Sequence, residues 1–424
     1  MYKIESVEIN GFWLRFNMGC SFNPDVNIII GKNGTGKTTF MNILHAVLAI
    51  DISVLAENDF NSIKIVIKKG GSRRTIRAKK VDFPDYPFPA IEYQISQRKT
   101  LLRLYNFDER RASVAYRKHL QEQALDLRKE LDSLIALASL SVYRLRSDDD
   151  YEVRDRHGAR MVAPVDYRLE QALRGLTQYQ LELSQKAREV AAKLQSDVLA
   201  SILYGEEDAN DAGYRLDFDK ADEQGRLVSA YQQLNALNLD VRKKIKFHVT
   251  AIDDAIRDIT RSSEVVDGQQ KPRSINIKPL EALRKTRRII DLSLEAKEST
   301  QAIFSQVELF LDIIKEFIPD KKFSFQSGLL NISTSHGVVD HSKLSSGEKQ
   351  LIILLAEALL QKRQEYVFLA DEPELSLHIA WQRMVIPAVR KINPNAQIIV
   401  ATHSPEVASK YPGAILNMEG MVNG

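Results

Sequence analysis

A short glycine-rich segment, GKNGTGKT at Gly31–Thr38, constrains the fold of this 424-residue chain more than any other feature. It matches the pattern GxxxxGK[ST], follows the apolar run VNIII and precedes the helical pattern KTTFMNILHAVLAI. Such a loop turns backbone N–H groups inward around phosphates, and the N-terminus of the following helix adds partial positive charge. The segment therefore predicts an α/β fold with a phosphate-binding loop, in preference to a chance glycine turn.

The side chains of this loop have separate predicted roles. Lys37 is expected to reach the β- and γ-phosphates of a bound nucleotide, and Thr38 is expected to coordinate Mg²⁺. The predicted nucleotide-binding residues of the loop are Asn33, Gly34, Thr35, Gly36, Lys37, Thr38 and Thr39.

Two acidic residues end a second apolar run, EYVFLADE. Asp371 at the strand tip is suited to hold Mg²⁺, and the adjacent Glu372 can polarise an attacking water. Alone they could be a solvated strand end, but beside a phosphate loop they favour nucleotide hydrolysis. His403 follows a further apolar run, IIVA. The predicted catalytic residues are therefore Lys37, Glu372 and His403.

The segment LSSGEKQ, residues 344–350, indicates the start of a helix. Ser345 and Glu348 have the spacing of a capping box, which predicts a helix that begins at or near residue 346. Free N–H groups at this end, with Ser346 and Gly347 exposed, would also suit a γ-phosphate. The structural and the functional interpretation are compatible.

In chain order, the phosphate loop, LSSGE, the strand that ends in DEPE and the segment ATHSPE resemble the motifs of the ABC-type ATPases, and more narrowly those of the SMC-like and OLD branch. The resemblance covers about residues 1–60 and 321–410. It implies an α/β fold: an ABC-type P-loop NTPase head with an antiparallel β subdomain and an inserted α-helical domain. It also implies an ATPase that uses ATP and Mg²⁺, with Thr38 and Asp371 as metal ligands.

The same resemblance assigns roles to the remaining motifs. Ser346, Gly347 and Glu348 match the signature segment, which in this family closes on nucleotide held by a second copy of the protein. Glu374–His378 matches the D-loop region, and His403 matches the switch histidine. The family's Q-loop glutamine is not assigned, although Gln94 and Gln97 are candidates.

Changes of pattern along the chain predict three segments. Residues 1–145 form the N-terminal ATPase lobe, with a β-hairpin at 60–81 around a Gly-Gly turn. Residues 146–320 carry few strand signals and a short heptad seam, and are expected to be a helical insertion. Residues 321–424 return to alternating strands and helices and form the C-terminal ATPase lobe.

The hairpin at 60–81 is strongly basic and contains no acidic residue. It could neutralise DNA phosphates, hold an acidic partner, or simply solvate an exposed strand face, and the last interpretation is favoured. Its basic residues are Lys64, Lys68, Lys69, Arg73, Arg74, Arg77, Lys79 and Lys80.

Composition excludes several classes of protein. The net charge is only +3, so charge alone does not indicate a nucleic-acid binder. Cys20 is the single cysteine, which excludes a disulfide framework or a cysteine-based zinc site within one chain. No signal segment opens the sequence, and its longest apolar stretch, residues 351–360, is too short to span a membrane. A cytoplasmic protein without a membrane partner is expected.

The helical insertion is too short for the long arms of chromosome-organising ATPases, and no room follows ATHSPE for a Toprim nuclease domain. In this the chain resembles ATPase subunits of bacterial anti-phage systems such as PARIS, Septu and retrons. The resemblance implies an ATP-driven switch that forms an ATP-sandwich dimer or a larger homo-oligomer and controls a separately encoded effector, such as a nuclease. DNA and a phage protein are left open as partners.

Two other functions compete with this interpretation. One is an SMC-like ATPase that acts directly in DNA repair or maintenance. The other is the nucleotide-binding subunit of a transporter, which is the weakest because such subunits rarely carry a large insertion between the phosphate loop and the signature.

Overall fold

The computed structural model of the chain describes residues 1–82, 90–103, 114–140, 151–155, 158–201, 218–233, 236–263 and 278–423. The chain divides into two compact units. The first combines Met1–Gln178 with Val307–Gly424, and the second is Tyr179–Gln306. Among the described residues, no helix is both long enough and apolar enough to cross a membrane.

The strands in chain order are β1 (Lys3–Phe12), β2 (Phe16–Ser21), β3 (Val26–Ile30), β4 (Ser62–Lys69), β5 (Ser72–Val81), β6 (Ala90–Ile95), β7 (Arg98–Arg103), β8 (Leu137–Leu140), β9 (Tyr151–Asp155), β10 (Gly158–Val162), β11 (Lys322–Gln326), β12 (Leu329–Thr334), β13 (Gly337–Val338), β14 (Val367–Asp371), β15 (Gln397–Ala401), β16 (Ile415–Asn417) and β17 (Val422–Asn423). The helices are α1 (Lys37–Ala49), α2 (Ile52–Glu57), α3 (Val114–Leu134), α4 (Pro164–Ala200), α5 (Lys220–Gln233), α6 (Leu239–Ser263), α7 (Lys278–Phe317), α8 (Ser346–Leu360), α9 (Ile379–Ile392), α10 (Pro405–Ala408) and α11 (Met418–Met421). A short 3₁₀ helix, His341–Lys343, precedes α8, and another covers Pro412–Ala414.

A parallel sheet forms the centre of the first unit. Its strand order is β16–β3–β15–β14–β8, and every neighbouring pair is parallel. All five residues of β14 and of β15 are buried, which explains why these strands are continuous apolar runs without alternation. The predicted strand, glycine loop and helix are confirmed as β3, the loop of residues 31–36, and α1.

An antiparallel sheet of seven strands forms the second layer of this unit, in the order β17–β2–β1–β4–β5–β6–β7. The predicted hairpin is confirmed as β4 and β5, which pair antiparallel around Gly70 and Gly71. Alternate residues of β4, namely Ile63, Ile65 and Ile67, are buried in a core that also includes α1. The predicted α/β class, with a parallel sheet and an antiparallel subdomain, is therefore confirmed.

One side chain joins the two sheets. The Gln397 amide, at the start of β15, is fully buried. Its oxygen accepts a hydrogen bond from the Ile4 amide at 2.7 Å, and its nitrogen donates to the carbonyl oxygens of Ile4 at 2.7 Å and Asn23 at 2.8 Å. The Gln397 side chain thus pairs with both backbone groups of Ile4, as a residue of a neighbouring strand would. The pairing of β1 with β4 shifts register at this point, between Ile4 and Ser6.

The second unit consists of helices in its described residues. Side chains from α5, α6 and α7 form a buried cluster of Leu227, Ala230, Ile245, Val249 and Ile290. The sequence analysis did not predict strands at the start of the helical insertion. The structure has two there, β9 and β10, which form an antiparallel hairpin. The predicted boundary between residues 145 and 146 lies outside the described residues.

Candidate functional site

The phosphate loop owes its shape to two glycines in the left-handed region, Gly34 with φ of 80° and Gly36 with φ of 92°. Gly36 is also the residue that precedes α1. A Cβ atom at Gly36 would lie 2.8 Å from the Phe12 ring and 3.0 Å from the Trp13 ring. Any larger residue would collide with this aromatic pair from the β1–β2 turn, which the sequence analysis did not connect with the loop.

Lys37 is held inside the loop. Its ammonium donates hydrogen bonds to the carbonyl oxygens of Gly31 at 2.8 Å and Lys32 at 3.1 Å, and the residue is only 5 % exposed. Burial lowers the pKa of Lys37, and the nearby carboxylates of Glu372, Asp371 and Glu374 oppose that shift. The ammonium is therefore a fixed cation that faces three acids.

The acidic pair lies at the end of β14, as predicted. Asp371 ends the strand and is 4 % exposed. Glu372 has φ of 49°, in the left-handed region that non-glycine residues rarely adopt. Its amide still donates to the carbonyl of Ala401 on β15 at 2.7 Å, so the chain leaves the sheet immediately after this bond. The carboxylate that follows β14 is thereby placed at the carboxyl edge of the parallel sheet.

His403 lies between a cation and a carboxylate. Its Nδ1 atom is 3.5 Å from the Lys37 ammonium, and its Nε2 atom is 3.7 Å from a carboxylate oxygen of Glu372. An ammonium has donors only, so a hydrogen bond in the first contact would have Nδ1 as its acceptor. In the neutral tautomer that makes this bond, Nε2 carries the ring proton and presents an N–H group towards Glu372.

These segments meet at one open cleft of about 690 Å³, lined by Asn33, Gly34, Thr38, Glu372 and His403. The cleft leaves room for phosphates beside the loop, because nothing lies within 4 Å of the place where a Cβ atom of Gly34 would stand. It also fits Mg²⁺, which is commonly held by one or two protein oxygens together with substrate phosphates. The Thr38 hydroxyl and the Asp371 carboxylate are oxygen ligands of that type.

The other predicted residues of the loop are placed nearby. Thr35 donates its hydroxyl hydrogen to the carbonyl of Lys32 at 2.9 Å and so braces the loop. Thr39 is the third residue of α1. The two Q-loop candidates are elsewhere: Gln94 lies on β6 and donates to the carbonyl of Ser96, and Gln97 lies in the turn before β7. Neither lines the cleft.

The signature segment begins α8 as the capping-box spacing predicts. Ser345 is the N-cap, its hydroxyl accepts from the Glu348 amide, and the Glu348 carboxylate accepts from the Ser345 amide. Lys321 also donates to that carboxylate, at 2.5 Å. Ser346 is exposed, but the expected exposure of Gly347 is wrong. Gly347 is buried because the Ser376 carbonyl lies 2.5 Å from the position of a Cβ atom there.

The signature residues do not complete the cleft of their own chain. Neither Ser346 nor Gly347 is among the residues that line it. The D-loop region, Glu374–His378, continues directly from the acidic pair, and His378 caps α9 by accepting from the Ala380 amide at 3.3 Å. Glu374 is 9 % exposed and contacts the loop that carries His403, a role that no local pattern in the sequence indicates.

Comparison with known proteins places the chain among nucleotide-hydrolysing families. The family profile described as AAA ATPase domain matches residues 2–408. A retron ATPase of Escherichia coli, Retron Ec83 probable ATPase, is 32 % identical over 112 residues, which cover 21 % of each chain. Septu protein PtuA of Bacillus thuringiensis is 37 % identical over 89 residues, which cover 18 % of this chain and 22 % of PtuA. The matches thus span less than a quarter of these two relatives.

Among solved structures, the chain matches the Smc head domain of Pyrococcus furiosus with an extended coiled coil, bound to the C-terminal domain of ScpA. It is 13 % identical in sequence, with a TM-score of 0.45, and the alignment covers 96 % of this chain and 92 % of the Smc chain.

Proposed function

The chain belongs to the AAA ATPase domain family, and on that premise we propose that it is the ATP-hydrolysing switch subunit of a bacterial anti-phage defence system. The observation that carries the ATPase part is the convergence of Thr38, Glu372 and His403 on one cleft, although more than three hundred positions separate the first from the other two. The local similarity to a retron ATPase and to a Septu protein supports the defence part.

In this mechanism the phosphate loop binds the triphosphate of ATP through backbone N–H groups and the ammonium of Lys37. Glu372 accepts a proton from the attacking water, and His403 donates its Nε2 hydrogen towards the same region. Thr38 and Asp371 would hold Mg²⁺, whose chemistry is to neutralise charge on the phosphate oxygens.

The signature segment supports a site shared between two copies. Ser346 is exposed at the N-terminus of a fifteen-residue helix, where free N–H groups favour an anion, yet it does not line its own cleft. In the proposed dimer, Ser346 of each copy contacts the γ-phosphate held by the other, with Gly347 supporting the close approach of the helix. ATP then holds the closed dimer, hydrolysis releases it, and the change of state controls a separately encoded effector.

The basic hairpin gives less support to direct action on DNA. Lys64 pairs with Glu8 at 3.1 Å, and Lys68 and Arg73 both pair with Glu5, at 3.5 and 2.7 Å. Part of the positive charge of β4 and β5 is thus balanced by glutamates of β1, which reduces the attraction for a phosphate backbone. These pairs are consistent with the interpretation of the hairpin as a solvated strand face without a nucleic-acid partner.

The test of the proposed function is nucleotide binding by the variant Lys37→Ala. This change removes the side-chain cation expected at the β- and γ-phosphates, so we expect ATP affinity to fall at least about tenfold and ATP hydrolysis to be lost. Lys391→Ala is the matched control, because Lys391 is an exposed lysine that pairs with Glu316 away from the cleft. Near-normal binding of ATP by Lys37→Ala in calorimetry would contradict the assignment of the site.

A further inference from the structure

Glu374 makes a set of contacts that the proposed mechanism does not use. Its Oε1 atom accepts three hydrogen bonds: from the Thr402 hydroxyl, from the His403 amide at 3.1 Å and from the Ser404 amide at 3.3 Å. Thr402 is fully buried and Glu374 is 9 % exposed. One carboxylate oxygen therefore fixes three consecutive residues of the loop that carries His403.

The far side of this loop is fixed as well. The Ser404 hydroxyl donates to the Gln382 side-chain oxygen at 2.6 Å, and Gln382 donates to the carbonyl of Leu377 at 3.0 Å. Leu377 in turn donates its amide hydrogen to the Glu374 carbonyl at 2.9 Å. The hydrogen bonds thus form a closed circuit between the D-loop region and the His403 loop.

The second oxygen of Glu374 is not used in these contacts. Glu374 Oε2 is buried and accepts no hydrogen bond from any described residue. A carboxylate is the strong acceptor that a loop needs if its position must be exact.

We propose that Glu374 is a positioning residue for ATP hydrolysis, which holds His403 in place by accepting the hydrogen bonds of the Thr402–Ser404 backbone and hydroxyl. The inference rests on the proposed function, because it concerns the geometry of the same reaction. Glu374 does not touch the nucleotide in this account. Without it the His403 ring loses its fixed place between Lys37 and Glu372, and a misplacement of about 1 Å can cost roughly a hundredfold in rate.

The test compares Glu374→Met, which fills the space but accepts no hydrogen bond, with the conservative Glu374→Gln, whose amide oxygen can still accept. We expect Glu374→Met to lower kcat about tenfold to a hundredfold with KM for ATP nearly unchanged, and Glu374→Gln to lose several-fold at most. Glu406→Gln is the matched control: Glu406 is a nearby acid whose side chain pairs with Arg383. It should keep the kcat of the unmodified chain.

A double-mutant cycle shows whether Glu374 acts through His403. In a His403→Ala background, adding Glu374→Met should cause almost no further loss of kcat, because the group being positioned is already absent. Equal losses in both backgrounds would overturn the proposal and leave Glu374 with a general structural role. If Glu374→Met fails to fold, the same cycle with Glu374→Gln decides, since its several-fold loss should likewise vanish without His403.

Hydrogen exchange tests the contact without reference to activity. The amides of His403 and Ser404 should exchange faster in Glu374→Met than in Glu406→Gln, and unchanged exchange would also overturn the proposal. The two hypotheses fail differently. An unmodified chain that does not hydrolyse ATP contradicts the proposed function, whereas an active chain with additive losses contradicts only the role of Glu374.

Discussion

Glu372 directly follows a strand of five buried residues, and its backbone adopts a left-handed conformation with φ of 49°. For a non-glycine residue this conformation costs about 1–2 kcal/mol. Ser376, four positions later, has φ of 68° and bears the same kind of strain. Both positions lie in the segment that links the acidic pair to the D-loop. Strain of this kind clusters at active sites, ligand clamps and switch regions.

His45 carries the clearest pH dependence of a single residue. It is 9 % exposed on α1, and burial lowers its pKa from 6.5 to about 4. In the unfolded chain the His45 imidazole takes up a proton near pH 6.5, whereas in the folded chain it does so only near pH 4. Stability from neutral His45 is complete above pH 6.5 and is lost as the pH falls, by about 3 kcal/mol at most.

We expect His45→Gln to weaken this dependence. The free energy of unfolding, measured by urea denaturation at pH 7.5 and pH 5, should differ less between the two pH values in His45→Gln than in the unmodified chain. His336→Gln is the control, because His336 is exposed on a turn. The same difference in all three proteins would show that burial of His45 contributes no pH dependence.

At the scale of elements, the start of α8 is defined by close packing as well as by its cap. Ser345 and Glu348 accept hydrogen bonds from each other's amides, which fixes the first residue of the helix, while Gly347 allows the helix to approach the carbonyl of Ser376. The next turns are almost entirely buried, with Leu351 and Leu355 both fully inaccessible to solvent. The start of α8 therefore packs directly against the D-loop region at Ser376. A movement of one is expected to displace the other, and with it Ser346.

Two glycine substitutions in helices should have opposite effects. Gly347→Ala places a methyl group 2.5 Å from a backbone oxygen, so we expect the free energy of unfolding to fall by about 1–3 kcal/mol. Gly225→Ala in α5 meets nothing within 4 Å, and should raise stability by about 0.5–1 kcal/mol because alanine is the better helix former. Chemical denaturation of both variants measures the difference. Equal effects of the two substitutions would contradict the close approach at Gly347.

Local patterns predicted the elements that depend on local chemistry. The strand, loop and helix around Lys37, the hairpin of β4 and β5, and the capped start of α8 each follow from adjacent residues. The features that were missed depend on distant partners. Gly347 is buried by Ser376, the phosphate loop is backed by aromatic residues of the β1–β2 turn, and Glu374 finds its donors on a different loop.

The whole first unit is assembled from the two ends of the chain. In the parallel sheet β3 pairs with β15, so that Val26 lies beside Ile398, and the entire second unit lies between them in sequence. The cleft cannot form until both ends have met, because the phosphate loop follows β3 and His403 follows β15. The signature residue Ser346 belongs to the same unit and yet stays outside the cleft, so in the proposed account a second copy of the chain supplies it.

The shared site is the central claim, and the mass of the particle in solution tests it. Glu372→Gln keeps the size of the side chain but cannot take the proton of the attacking water, so ATP should stay bound and unhydrolysed. The γ-phosphate would then keep its contact with Ser346 of a second copy, and the closed dimer should accumulate by mass action. Adding Ser346→Arg should prevent this, because a bulky cationic side chain would stand where an exposed serine meets the phosphate.

Light scattering with and without ATP gives the mass directly. We predict that Glu372→Gln doubles its mass, or assembles further, when ATP is added, and that Glu372→Gln with Ser133→Arg, an exposed serine on α3, does the same. Glu372→Gln with Ser346→Arg should remain at the mass found without ATP. No ATP-dependent gain in Glu372→Gln, or a gain that survives Ser346→Arg, would contradict the shared site and leave LSSGEKQ as a well-capped helix start.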